Sequence, residues 1–258
     1  MPSSNDTDKE WETWGKVNPY FGVLSVPKYL AENLNDKTLE EFYWSGEHHI
    51  EHVFDVISEK ILPNFQPARS LDYGCGVGRL VIPLAKRSQE IVGIDVSPSM
   101  LEKAREACDK FGATSVQLLL ADKLDSLPPA SFDLVHSYIV FQHIPLARGE
   151  AILKKMIALL ADGGIGAIQI PYRNAKATMH RKAAELRHRS SLVNGLLNLV
   201  GGRPLSSPRM QMNLYSLECV LEMLVEAKCS NVHLEFSNHG DIHGVMLYFQ
   251  RKKPKWVY

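Results

Sequence analysis

The run Ser70-Leu71-Asp72-Tyr73 breaks at once into glycines at every second position, Gly74-Cys75-Gly76-Val77-Gly78, and then into an amphipathic segment from Arg79 onward. Glycines so spaced let the backbone turn sharply and approach a ligand where any Cβ would collide with it. A strand that ends this way and continues as a helix belongs in an open α/β sheet, whose ligands bind beyond the carboxyl ends of the strands. About 20 residues past Gly74 a second apolar run, Ile91-Val92-Gly93-Ile94, ends on Asp95, the position whose carboxylate holds a ribose in nucleotide folds.

Two cofactor classes fit this arrangement. A dinucleotide fingerprint needs G-x-G-x-x-G with the pyrophosphate on the helix N-terminus. Here the glycines run G-x-G-x-G and Asp72 precedes them. An acid at that turn repels a pyrophosphate and suits a cation such as the amino group of a methionine moiety. The cofactor this points to is S-adenosylmethionine. A dehydrogenase remains the competing reading of the same turn.

Along the chain, the first ten residues are polar and read as frayed. Trp11, Trp14, Tyr20 and Phe21 then bring an aromatic density that has to pack on something. Thr38 with Glu41, and Ser45 ahead of Ile50, Val53, Phe54, Ile57 and Ile61, read as the starts of two helices. From about Ser70 strands and helices alternate: strands over 70–74, 90–95, 115–120, 133–139 and 165–171, and helices over 78–87, 98–110 and 148–160. That alternation predicts a parallel sheet with helices on both faces. Ser216 caps a last helix to about Ala227, and strands 231–237 and 244–250 flank the turn residues Asn238-His239-Gly240-Asp241, a hairpin signature.

At 258 residues the chain can bury one large core. The expected organisation is an N-terminal aromatic and helical extension acting as a lid over 1–69, a cofactor-binding core over 70–172, an insertion over 173–213 and a closing helix and hairpin over 214–258. Lys plus Arg equals Asp plus Glu, so nothing global favours nucleic acid or a membrane surface. No run approaches the roughly 18 apolar residues of a membrane span. The four cysteines show no C-x-x-C spacing and read as reduced thiols of a cytoplasmic protein. The oligomeric state is not legible.

Several ordered blocks resemble the class I S-adenosylmethionine-dependent methyltransferases. Asp72 to Gly78 matches the glycine motif. Asp95 with Val96-Ser97-Pro98-Ser99-Met100-Leu101 matches the acidic block, Ala121-Asp122 the acid after the third strand, Ser131 to Tyr138 the fourth strand, and Leu159-Leu160-Ala161-Asp162-Gly163-Gly164 the turn before the fifth. Asn18 to Val23, Ser45-Gly46-Glu47, Phe141 to Pro145 and Met246 to Gln250 further resemble poorly characterised bacterial members associated with glycan-modifying genes. The resemblance implies a Rossmann-like seven-stranded sheet of five parallel strands plus a closing antiparallel hairpin, the last strand beside the fifth. It implies cofactor contacts from Asp72, Gly74, Cys75, Gly76, Arg79, Asp95, Val96, Ser97, Met100, Asp122, Lys123, Leu124 and Tyr138, with Tyr20 from the extension.

Methyl transfer to a hydroxyl needs an aligned nucleophile and a proton acceptor. The candidates are His143 after the fourth strand, and His243 and Tyr172 at the rim where the hairpin turn meets Pro171. The plainer reading of His143 is a residue bonded to backbone at a helix start. His136, in mid-strand, reads as a satisfied core histidine. His239, Asp241 and His243 have alternating spacing, but Gly240 breaks the geometry a metal would need, and His48, His49 and His52 read as a solvated helix face, so no metal is expected. The basic residues Arg173, Lys176, His180 to Lys182 and Arg187 to Arg189, followed by a leucine-rich run, read either as a clamp for an anionic acceptor or as a solvated helix leading into one that packs on the body. No N/D-P-P-Y/F run follows the fourth strand, which argues against methylation of planar nitrogen. The favoured function is O-methylation of a small molecule or saccharide. N- or C-methylation of a natural-product scaffold, and a non-catalytic cofactor-binding regulatory subunit, are the alternatives.

Overall fold

The computed structural model describes residues 4–175 and 210–251. The elements run α1 (Ser4–Val17), α2 (Pro19–Val23), α3 (Asp36–Val56), β1 (Arg69–Tyr73), α4 (Val81–Ala85), β2 (Glu90–Asp95), α5 (Pro98–Phe111) and β3 (Val116–Leu120). They continue with β4 (Phe132–Ser137), α6 (Leu146–Leu159), β5 (Leu160–Asn174), α7 (Leu217–Glu226), β6 (Cys229–His239) and β7 (Ile242–Arg251). The expected insertion falls mostly on 176–209, outside the described residues.

The seven strands form one sheet in the order β3-β2-β1-β4-β5-β7-β6. β1 to β5 are parallel, and β7 runs antiparallel between β5 and β6. The Rossmann-like methyltransferase sheet is therefore present with its closing hairpin. Its strands read as near-continuous apolar runs because both faces are covered. Leu71, Val135, Ile168 and Leu247 pack on one face with α6 and α7. Leu134, Ala167, Met246 and Tyr248 pack on the other with Ile50, Val53 and Ile57 of α3 and its continuation. Each of those α3 residues is fully buried, and truncating one to Ala would cost about 2–5 kcal/mol.

Local chemistry sets the helix ends. Ser97 accepts from the Met100 N–H at 3.1 Å with Pro98 in the first turn, and Gly112 ends α5 at φ 67°. Ser216 caps α7 by accepting from Cys219 N–H.

Two expectations for the N-terminal part are corrected. A single 21-residue helix, α3, replaces the pair expected from Thr38 and Ser45. Asn35 is its cap, in a reciprocal box with Thr38, and Ser45 lies inside it, donating to the Phe42 carbonyl at 2.6 Å. The first residues are not frayed throughout, since Ser4–Val17 is helical. That helix lies against α5: Glu12 accepts from both the Ser97 and Ser99 hydroxyls at 2.8 Å. A Cβ on Gly15 would come within 2.5 Å of Ser97 Oγ, so the close approach requires glycine there.

Candidate active site

β1 runs into a turn in which Gly74, Gly76 and Gly78 have φ of 78°, 52° and 84°. A Cβ on Gly74 would run into Val140 and one on Gly76 into Val23. The two glycines thereby let Val140 and Val23 close against the turn. The turn is pinned to β2, because the N–H groups of Gly74 and Cys75 both donate to the Ile94 carbonyl. Asp95 closes it. Its Oδ2 accepts from Gly76 N–H and its Oδ1 from Ser97 N–H, each at 2.9 Å. Burial pushes this carboxyl up to about 6, against the pull of the backbone donors of Ser97, Gly76 and Val96.

A partly open cavity lies over this turn. Gly74, Gly76, Asp95, Val96, Met100, Tyr138 and His143, all anticipated from the sequence, line it. Thr7, Asp8 and Trp11 of α1, Val23 of α2, Ile139 and Arg148 were not anticipated and line it too. Asp8 latches α1 across the mouth to Arg148 at 2.6 Å. Trp11 sets its ring edge-on to His143 with centroids 4.8 Å apart. Ile139 holds φ 61°, a strained conformation for a β-branched residue.

Other anticipated residues stand away from the lining. Cys75 is buried beneath the turn, and Ser97 caps α5. Asp72 is buried with Oδ1 on His136 Nδ1 at 2.8 Å. Arg79 points to the α3 face, where its Nη1 donates to Ser45 Oγ at 3.3 Å. Asp122, with a side chain 67% exposed, pairs with Lys123 beyond β3, and Leu124 joins the core. Tyr20 packs on Phe42 and Tyr43 at centroid distances of 5.2 and 6.4 Å, so Trp11 occupies the covering position expected of it. Tyr172 and His243 also lie outside the lining.

His143 is buried. Its Nδ1 donates to the Gln211 carbonyl at 2.8 Å, which leaves Nε2 as acceptor for the Gln142 amide at 3.1 Å. Burial pushes its pKa down to about 4 against the Gln211 hydrogen bond, so it is neutral near pH 7. His49 is a correction: it is not on a solvated face but stacks on Tyr138 at 3.8 Å, its Nε2 3.1 Å from His136 Nε2. His52 reaches Glu235 of β6 at 2.9 Å. Among the described residues no three His, Cys, Asp or Glu side chains converge as metal ligands.

The profile of a methyltransferase domain family matches residues 71–164, from β1 through the turn that opens β5. The chain carries a class I S-adenosylmethionine-dependent methyltransferase domain. This domain is 34% identical over 122 residues to a trans-aconitate 2-methyltransferase of Methylobacterium radiotolerans, covering 46% of this chain and 44% of that one. It is 36% identical over 100 residues to the aklanonic acid methyltransferase DauC of a Streptomyces species, covering 37% and 44%. The matches thus span under half the length of these curated relatives. The fold is similar to magnesium protoporphyrin IX methyltransferase of Synechocystis, solved with its methyl donor bound, at a TM-score of 0.59 and 17% identity over 98% of this chain and 100% of that one. At that identity the likeness concerns the fold. In the methyltransferase domain, the match covers the floor of the cavity, while α1 and α2, which cover it, lie outside.

Proposed function

We propose that the chain binds S-adenosylmethionine in this cavity and methylates an oxygen of a small-molecule or saccharide acceptor. The observation that carries the reading is the joining of the Gly74–Gly76 turn to Asp95 at the bottom of one cavity. The residues fit the cofactor. The Asp95 carboxylate, held by backbone N–H groups of Gly76 and Ser97, lines the cavity as an acceptor for the ribose hydroxyls. Val96 and Met100 offer an apolar bed for a flat base, and the turn at Gly74 and Gly76 lines the cavity beside them for an amino-acid moiety.

When bound, S-adenosylmethionine supplies a methyl carbon on a cationic sulfur, which keeps the bonding pair as the acceptor oxygen takes the methyl. The chain's residues do the rest. Helix α1, latched by Asp8 to Arg148 and by Glu12 to Ser97 and Ser99, covers the cavity and excludes water. Tyr138 and His143 stand in the wall. A hydroxyl acceptor gives up its proton, and neutral His143 is the cavity-lining imidazole, while a carboxylate acceptor has no proton to lose. The Ile139-Val140-Phe141-Gln142 sequence after β4 supports an oxygen over a planar nitrogen. The curated relatives named for trans-aconitate and aklanonic acid modification are in keeping with small acceptors.

The test is calorimetric titration with S-adenosylmethionine, S-adenosylhomocysteine and NAD, followed by methyl-label transfer to an acceptor panel. Saturable binding of the first two without NAD is expected. Binding of NAD alone overturns the reading.

A further inference from the structure

β6 ends the sheet beyond β7, and among the described residues no strand pairs with its outer edge. Open edges offer unpaired N–H and C=O groups to another strand, and natural sheets blunt them with lysine, proline or a bulge. This edge, Cys229–His239, carries neither lysine nor proline. Its bulge lies at the start, where the register against β7 shifts between Ser230 and His233 and Asn231 holds φ 50°. The strand is regular from His233, and the bulge stops a new ladder at Val232. The single acid, Glu235, lies on the α3 side, where its Oε2 meets His52 at 2.9 Å and the Tyr248 hydroxyl at 3.3 Å. The opposite side carries Val232, Leu234 and Phe236, which are 40%, 42% and 86% exposed. Three alternate apolar side chains left open on an unpaired edge mark an association surface.

The geometry of the edge says which partner fits. His239 and Ile242 pair across the turn at Gly240 and Asp241. The odd-numbered residues from His233 to His239 therefore turn their N–H and C=O groups to β7, and the even-numbered ones turn theirs outward. A second copy pairing antiparallel about a two-fold axis must join even-numbered residues to even-numbered residues. An axis at Glu235 would oppose two like charges. An axis at His233 would set Glu235 against Asn231, and one at Phe236 would set it against Ser237. An axis at Leu234 sets His233 of each copy opposite Glu235 of the other and Val232 of each opposite Phe236 of the other, with Leu234 on its own counterpart. Opposed side chains of these kinds attract at the short Cβ separation of an antiparallel pair. His52 and Tyr248 both contact Oε2 of Glu235, which leaves Oε1 for the imidazole of the second copy.

We propose that β6 pairs antiparallel with β6 of a second copy of this chain, in the register centred on Leu234, and joins the two sheets into one. The ladder runs only from Val232 to Phe236 of each copy, so the joint is small and reversible. It is independent of the methyl-transfer reading.

Sedimentation velocity of the intact chain over a wide concentration range, at neutral pH and constant salt, tests it. A reversible monomer–dimer equilibrium is expected. Phe236→Lys, at an exposed side chain, should weaken dimerisation on the order of tenfold. His233→Glu sets like charges opposite each other, and Glu235→Lys sets a cation opposite His233, so each should weaken it too. Mixed in equal amounts, these last two variants should dimerise again, because the two introduced charges then face each other. Melting temperatures near the parent's check that each variant is folded. A chain that stays monomeric at every concentration overturns the proposal. A dimer untouched by the three substitutions places the contact elsewhere and overturns it as well, and failure of the mixed variants to dimerise overturns the register.

Discussion

His136 donates from Nδ1 to Asp72 Oδ1 across 2.8 Å, joining β4 to β1 immediately behind the glycine turn. The bond is buried on both sides, so removing one partner leaves the other stranded. Asp72→Asn keeps an acceptor for the imidazole and should cost about 1 kcal/mol, whereas Asp72→Ala orphans the Nδ1–H and should cost about 1–3 kcal/mol more. Urea unfolding of the two variants checks the difference, and equal losses would show that the hydrogen bond itself carries little.

Asp95 is held near 6 in the folded chain, above its ordinary value of 3.8. A raised carboxyl costs stability once ionised, and that cost appears as pH rises through 4 to 6. Ribose binding uses the ionised form. Cofactor affinity is therefore expected to be flat above about pH 7 and to fall toward tenfold per pH unit once well below 6. Asp95→Ala should weaken cofactor binding by about 1.5–3 kcal/mol for each hydroxyl bond lost. Titration calorimetry across pH 5 to 8 on both proteins reads both effects, and an unchanged pH profile in the variant would remove Asp95 from the site.

Glu12 fastens the cover. Burial works to raise its carboxyl, but hydrogen bonds from Ser97 and Ser99, with help from Lys16, outweigh it and hold it down at about 2. The stabilisation is full above the ordinary carboxylate value of 4.5 and is lost as pH falls from there toward 2. Glu12→Gln is expected to lower the melting temperature above about pH 4.5, where the stabilisation by the carboxylate is full, and to lower it less as pH falls toward 2. It should speed cofactor dissociation several-fold, as measured by stopped-flow quenching of Trp11. Asp8→Asn, at the other end of the same helix, should act in the same direction by about 1 kcal/mol or less.

The sheet was legible because its strands, covered on both faces, leave continuous apolar runs closed by glycine turns. The cavity floor was legible for the same reason, since Gly74, Gly76 and Asp95 sit where those runs end. The cover was not. Helix α1 packs through Trp11 and Trp14, which the sequence showed, but also docks through Asp8, Glu12 and the bare backbone of Gly15, polar contacts that leave no pattern to read. Ser45 imitated a helix cap while bonding back to Phe42 inside α3. His49 carried a usable signal: it falls three residues after buried Gly46 and four before buried Val53, on the inward side of the helix. Arg79 followed the glycine turn in sequence, yet its side chain left for the opposite wall of Tyr138, a direction that only packing against Gly46 decides.

His143 is the residue on which stability and turnover make opposite demands. Its pKa is pushed down to about 4 from 6.5. An unfolded chain takes up that proton first, so the neutral buried form contributes stability above pH 6.5 that is lost as pH falls to 4, about 3 kcal/mol in all. As a proton acceptor it is weak, because its Nε2 lone pair already receives the Gln142 amide. If it acts on a hydroxyl acceptor, His143→Gln should lower kcat by about 10²–10⁴ and leave the cofactor dissociation constant unchanged. If it only orders the wall against Trp11, both cofactor affinity and KM should worsen while kcat holds. Single-turnover kinetics beside calorimetry separates the two outcomes. The share of the acid instability between pH 6.5 and 4 that His143 contributes is expected to vanish in the variant in either case, while the opposite contribution of Asp95 in that range remains.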